Sequence, residues 1–166
     1  MKNTPHVLLM MGSDTDLPIM QEAADILKKF AVPYEMRIAS AHRSPARAMA
    51  LASGAAGRGI KIIIAGAGMA AHLAGVVASH TILPVIGVPM PGGALNGVDA
   101  LYATVQMPGG IPVATMAIGK AGAKNAGLFA IQILSLSEPS LAESLLRYRV
   151  AMDKELEQKD SDLQAI

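Results

Sequence analysis

The chain has no cysteine and no tryptophan, and only two phenylalanines and three tyrosines in 166 residues. Charge is sparse as well: Asp, Glu, Lys and Arg make up 16%, for a formal net charge of +1. Each scarcity closes off a class of function. Without cysteine there are no disulfides, no thiolate nucleophile and no cysteine-ligated metal, a composition that suits a reducing cytoplasm. Without a basic excess or much aromatic surface, the chain lacks both the field and the stacking platforms that nucleic-acid binding uses. Nucleic acid is not expected as a partner.

Charge is scarcest in the middle of the chain, where Asp99 is the single charged residue between Lys61 and Lys120. Residues 62–91 have none, which invites a membrane reading. Gly66, Gly68, Gly75, Pro84, Pro89 and Pro91 argue against one, because they cut the stretch into strand, helix and strand. Uninterrupted apolar runs of this kind are what parallel strands buried on both faces require. No membrane span is expected. With one lysine ahead of a strand-like run and no small-residue cleavage site at residues 1–6, no secretory leader is expected.

What the chain does have is apolar residues, 52% of the total, more than a monomer of this size needs for its core. Part of its surface is therefore expected to be covered by other copies. Five apolar runs recur at residues 6–11, 33–39, 61–65, 83–88 and 112–118, each followed by small turn residues and a helical pattern at 16–30, 44–57, 69–80, 97–106 and 121–134. Such alternation predicts an α/β fold, a five-stranded parallel sheet with crossover helices on both faces. The tail differs: residues 138–162 hold eleven charged residues, and Leu141, Leu145, Tyr148, Met152 and Leu156 fall on one helical stripe. Ser140 and Glu143 are spaced as a capping box for that helix, expected over 138–157 and frayed beyond. With no linker or repeat, one domain over 1–166 is expected, its core at about 6–135.

Ligands of an open parallel sheet bind beyond the carboxyl ends of its strands. That rule sorts the four histidines. His6 opens strand one and His80 precedes strand four, whereas His42 and His72 follow strands two and three and can share a site. His42 sits in Ser40-Ala41-His42-Arg43-Ser44-Pro45, where Ser44 reads as a helix cap and Pro45 as its first turn. Imidazole and guanidinium then stand before a helix N-terminus whose amides favour an anion. Gly12-Ser13-Asp14-Thr15-Asp16 brings hydroxyls and carboxylates to the same edge, and Asp16 reads equally as a helix cap or a ligand group. Gly66-Ala67-Gly68, leading to His72, reads either as a glycine turn that cradles an anion or as a site of close packing. His72 taken alone reads as a hydrogen-bonded helix histidine. The Gly119-Lys120 pair lacks the glycine spacing of a phosphate loop, so Lys120 reads as a loop lysine near the same edge. No histidine and carboxylate spacing suggests a metal.

Four segments together resemble the class I PurE family, the N(5)-carboxyaminoimidazole ribonucleotide mutases of purine biosynthesis. They are Met11-Gly12-Ser13-Asp14-Thr15-Asp16, the Ser40–Pro45 run, residues 65–73 and residues 105–115, in the same order and spacing over about 7–134. The resemblance implies a flavodoxin-like three-layer α/β/α sandwich, a homo-octamer, and neither metal nor organic cofactor. It implies that a carboxylate moves from the exocyclic amine of a ribonucleotide to carbon 4 of its imidazole. By position, Ser13, Asp16 and Arg43 would bind the phosphoribosyl and carboxylate groups together with Gly12, Ser40 and Ala41. His42 would be the general acid, and Gly66, Ala67, Gly68 and His72 would shape the pocket for the carboxylate or CO2. The chain departs from the family at Met69, often Gly, at Ala74, often Pro, and in a glycine-richer loop at 89–97.

The residues suit that chemistry on their own terms. Protonating the carbamate nitrogen releases CO2, which must be held beside the ring until carbon 4 attacks it and then loses its proton. An imidazole can deliver the first proton and accept the second. The related carboxylases that use free CO2 are the nearest alternative, but they usually carry Lys after the histidine and lack the Ala70-Ala71-His72-Leu73 run. A non-catalytic nucleotide- or flavin-binding module on the same fold is a further alternative; it has no need of His42.

Overall fold

The computed structural model describes residues 4–165, so the reading of residues 1–6 falls partly outside the described residues. Five parallel strands, β1 (Val7–Met11), β2 (Tyr34–Ile38), β3 (Ile62–Gly68), β4 (Val85–Met90) and β5 (Ala114–Thr115), form one sheet in the order β2-β1-β3-β4-β5. Five helices follow the strands in turn: α1 (Leu17–Lys29), α2 (Pro45–Ser53), α3 (Leu73–Ala78), α4 (Val98–Val105) and α5 (Lys120–Ser135). This is the expected flavodoxin-like α/β arrangement. Its order reverses between β1 and β3, which pair in parallel from Val7 opposite Ile62 to Met11 opposite Gly66. At such a switch point two chains diverge from neighbouring strand ends and leave a crevice.

Both faces of the sheet are covered, which explains the uninterrupted apolar strands. Leu8, Met10, Ile63, Ala65 and Val85 pack with Ala48 and Ala52 of α2 and Leu73, Ala74 and Val77 of α3. Small side chains at those helix positions let the backbones come close to the sheet. α1 presents Met20, Ala23, Ala24 and Leu27 at helical spacing, all fully buried. A leucine such as Leu27 contributes about 1.5–3 kcal/mol by leaving water. α1 ends where Ala31 turns left-handed at φ 54, with the Ala31 N–H donating to the Lys28 carbonyl and the Val32 N–H to the Leu27 carbonyl. This is a Schellman closure without its usual glycine.

Several boundaries differ from expectation. β3 continues through Gly66, Ala67 and Gly68 instead of turning there, and α3 starts at Leu73, not at residue 69. β5 is two residues long, because only Ala114 and Thr115 pair with β4. Lys120 is not a loop residue; it opens α5 and stands 3.5 Å from Glu22 of α1.

The chain divides into two compact units, up to Ala130 and from Ile131 on. The second unit holds the end of α5 and a 26-residue helix, α6 (Pro139–Gln164). Pro139 occupies the first turn and Glu138 the cap position with no side-chain cap bond, so the expected Ser140/Glu143 capping box does not form. Residues beyond 157 are helical, not frayed.

Candidate functional site at the carboxyl edge of the sheet

β1, β2, β3 and β4 end on the same edge, and the segments that leave them enclose a cavity of about 470 Å³. Gly12, Ser13, Thr15 and Asp16 line it from the end of β1. Ser40, Ala41, His42 and Arg43 come from the end of β2, Ala67 to Ala70 with His72 and Leu73 from β3, and Met90 to Gly93 from β4. Ten of the eleven expected site residues are thereby brought together. Gly66 is the exception: it is buried behind the wall, where an added Cβ would collide with the side chains of Met20 and Met90. The glycine is there for close packing, not as part of an anion-binding turn.

The loop after β1 is stiffened by its own polar groups. The Ser13 N–H donates to Asp16 Oδ2 at 3.1 Å, and the Thr15 N–H to Ser13 Oγ at 3.4 Å, a reciprocal capping box around a short 3-10 turn. Asp16 stands at the cap position of α1 without capping it, so its carboxylate serves the preceding loop and faces the cavity. Burial pushes the Asp16 carboxyl above its ordinary value, while the N–H groups of Ser13 and Gly12 and the positive charge of Arg43 pull it back.

The loop after β2 is organised by Ser40. Its hydroxyl accepts from the N–H groups of His42 at 3.3 Å and Arg43 at 3.1 Å. Those amides are therefore satisfied within the loop and do not point at an anion. Nor does Ser44 cap α2: its hydroxyl accepts from the Ser40 N–H at 2.9 Å. Such local serine bonds compete with helix capping and fix the turn instead. Pro45 opens the helix as expected.

This turn sends two side chains across the sheet edge. Arg43 Nη2 donates to the Gly12 carbonyl at 2.9 Å, tying the β2 loop to the β1 loop and leaving other guanidinium donors for a bound anion. His42 Nε2 lies 2.8 Å from His72 Nδ1, with the rings edge to face at 76°. His72 is in the turn before α3, at its cap position, and not inside a helix. The cavity thus has a polar part of Ser13, Asp16, Ser40 and Arg43 and an apolar part of Ala67, Ala70, Leu73, Met90 and Pro91, with His42 on its wall. Met90 to Gly93 lie outside the expected site, and the run Pro91-Gly92-Gly93 at a strand's carboxyl end is the sequence signal that points to them. Among the described residues no cluster of histidine and carboxylate groups is placed to hold a metal ion, and no helix is long and apolar enough to cross a membrane.

A family model described as AIR carboxylase matches residues 6–155. The chain is 56% identical over 160 residues to the N5-carboxyaminoimidazole ribonucleotide mutase of Pyrococcus horikoshii, covering 96% of this chain and 89% of that one. It is 57% identical over 141 residues to the enzyme of the same name from Bacillus subtilis, covering 85% and 87%. The crystal structure of Treponema denticola PurE matches with a TM-score of 0.85 at 31% identity, over 96% of this chain and 98% of that one.

Proposed function

The chain belongs to the AIR carboxylase family, and on that premise we propose that it catalyses the N(5)-carboxyaminoimidazole ribonucleotide mutase reaction of purine biosynthesis. The carboxylate moves from the exocyclic nitrogen of the substrate to carbon 4 of its imidazole. The observation that carries this reading is His42, an imidazole on the wall of a cavity that is polar in one part and apolar in another.

In this reading Arg43, Ser13 and Ser40 take the phosphate and carboxylate oxygens, and Asp16 accepts from hydroxyls of the ribose. Arg43 is already held by the neighbouring loop and Asp16 by its own, so little ordering is left to be done on binding. His42 gives its proton to the carbamate nitrogen as the N–C bond breaks, which leaves the amine and CO2. The ring's electrons then form the bond from carbon 4 to CO2, and the proton on carbon 4 returns to His42. One imidazole thus closes the proton cycle. The aminoimidazole supplies the electrons, so the reaction as proposed calls for no metal and no organic cofactor. The apolar wall of Ala67, Ala70, Leu73 and Met90 excludes water while CO2 is free.

We read the chain as one catalytic domain, acting in the cytoplasm as a homo-octamer. The family match over residues 6–155 supports the first point. Exposed Val98, Tyr102 and Val105 on α4, in a stretch nearly free of charge, support burial against other copies. Purified protein given the carbamate substrate and followed in the ultraviolet tests the reaction: conversion to the carbon 4 carboxylate is expected, and binding without conversion would leave a nucleotide-binding module.

A further inference from the structure

Met69 is the one cavity residue whose backbone is at odds with its side chain. It has φ 53, in the left-handed region that glycine accepts freely and side-chain-bearing residues avoid. Its carbonyl is held there by the Ala71 N–H at 2.8 Å. The side chain is 62% exposed, yet it lies on the cavity lining and runs to the opposite loop, where its Cγ and Sδ stand over Gly93 within 3.3 and 3.7 Å of where a Cβ would be. A large apolar side chain held in an unfavourable conformation at the rim of a partly polar cavity is an arrangement that packing of the core does not explain.

We propose that Met69 retains the CO2 released in the reaction: its thioether chain bridges from the β3 loop to the β4 loop and closes the apolar end of the cavity. The inference rests on the mutase reading, in which CO2 exists free between cleavage of the N–C bond and formation of the bond to carbon 4. Ala67, Ala70, Leu73, Met90 and Pro91 line the same cavity, and Met69 and Gly93 meet across it. A flexible unbranched chain suits the task, since it can move aside for substrate entry and fall back onto Gly93. Gly92 and Gly93 supply a partner surface with no side chain of its own.

The test is isotope escape. Unlabelled carbamate substrate is supplied with labelled bicarbonate and carbonic anhydrase, and label is measured in the carbon 4 carboxylate. The wild-type protein should give product with little label, Met69→Gly severalfold more, and Met69→Leu a share close to wild type because the apolar closure is restored. Folding does not confound the comparison, because glycine accepts this backbone conformation and the melting temperature of Met69→Gly reports directly on stability. Equal label in wild type and Met69→Gly, with both converting substrate, overturns the inference and leaves the mutase reading intact. A wild-type protein that draws its product carboxylate from bicarbonate overturns that reading itself, and the inference with it.

Discussion

His42 Nε2 and His72 Nδ1 face each other at 2.8 Å. A hydrogen bond between two imidazole nitrogens holds one hydrogen, so one ring donates and the other presents its lone pair. The contact couples the orientations of the two rings and holds in place the ring to which the proposed reaction assigns the proton transfer. Replacing His42 by Asn should leave nucleotide affinity within about tenfold and lower kcat by the roughly 10²–10⁴ that a lost acid–base group costs. His72→Asn should lower kcat less, leave KM nearly unchanged and alter the pH profile of kcat, as expected of a residue that positions another. Steady-state kinetics across pH on both variants checks the pair. A His42→Asn enzyme turning over at the wild-type rate would remove His42 from the proton cycle.

The proposed function gives Arg43 an anion to hold, not a proton to move. Arg43→Ala should weaken binding of the ribonucleotide product by about 1.5–3 kcal/mol, the range for hydrogen bonds to a charged group. Lys restores only part, because its single ammonium cannot bond the Gly12 carbonyl and an oxyanion in the same planar fork. Calorimetric titration with the product measures this, and unchanged affinity would exclude Arg43 from the site.

Asp16 ties stability to pH. Burial raises its carboxyl from the usual 3.8, so the native state keeps a proton that the unfolded chain has already released. The ionised group therefore subtracts from stability above that window, and the loss is recovered as pH falls through the raised value toward 3.8. Relative to Asp16→Asn, the wild-type melting temperature should climb on acidification from neutral pH. Parallel melting temperatures for the two proteins at every pH would contradict the assignment, whereas weakened nucleotide binding by the variant would support the role of Asp16 in the site.

Assembly is the expected fate of the exposed apolar residues. Light scattering at micromolar concentration should give the mass of an octamer. Tyr102→Glu on α4, 62% exposed in a single chain, should reduce that mass. A stable monomer would show that this surface has another use.

The sheet was legible in the sequence because β-branched and apolar runs separated by helical periods leave few alternatives to a parallel α/β sheet. His42, Arg43, Ser13 and Asp16 were legible because polar groups at strand carboxyl ends have few structural reasons to be there. Gly66 was not: glycine signals either a turn or a close approach, and the deciding atoms, the side chains of Met20 and Met90, come from two other elements. The start of α3 was missed for a similar reason, since Met69 adopts a left-handed turn that its own residue type disfavours. The amides of His42 and Arg43, in the turn before α2, are taken by the Ser40 hydroxyl. That outcome depends on a side-chain rotamer that no spacing rule reports. At α6, Pro139 starts the helix ahead of the Ser140/Glu143 pattern, and a proline in the first turn overrode the capping signal.

The central claim is that the substrate's own carbamate supplies the carboxylate that reaches carbon 4. The most direct measurement supplies chelator-treated protein with the carbamate substrate alone and, separately, with aminoimidazole ribonucleotide and bicarbonate. Efficient formation of the carbon 4 carboxylate in the first mixture, without added bicarbonate, is the predicted result. Efficient carboxylation in the second mixture alone would contradict it and make the chain a carboxylase that uses free CO2.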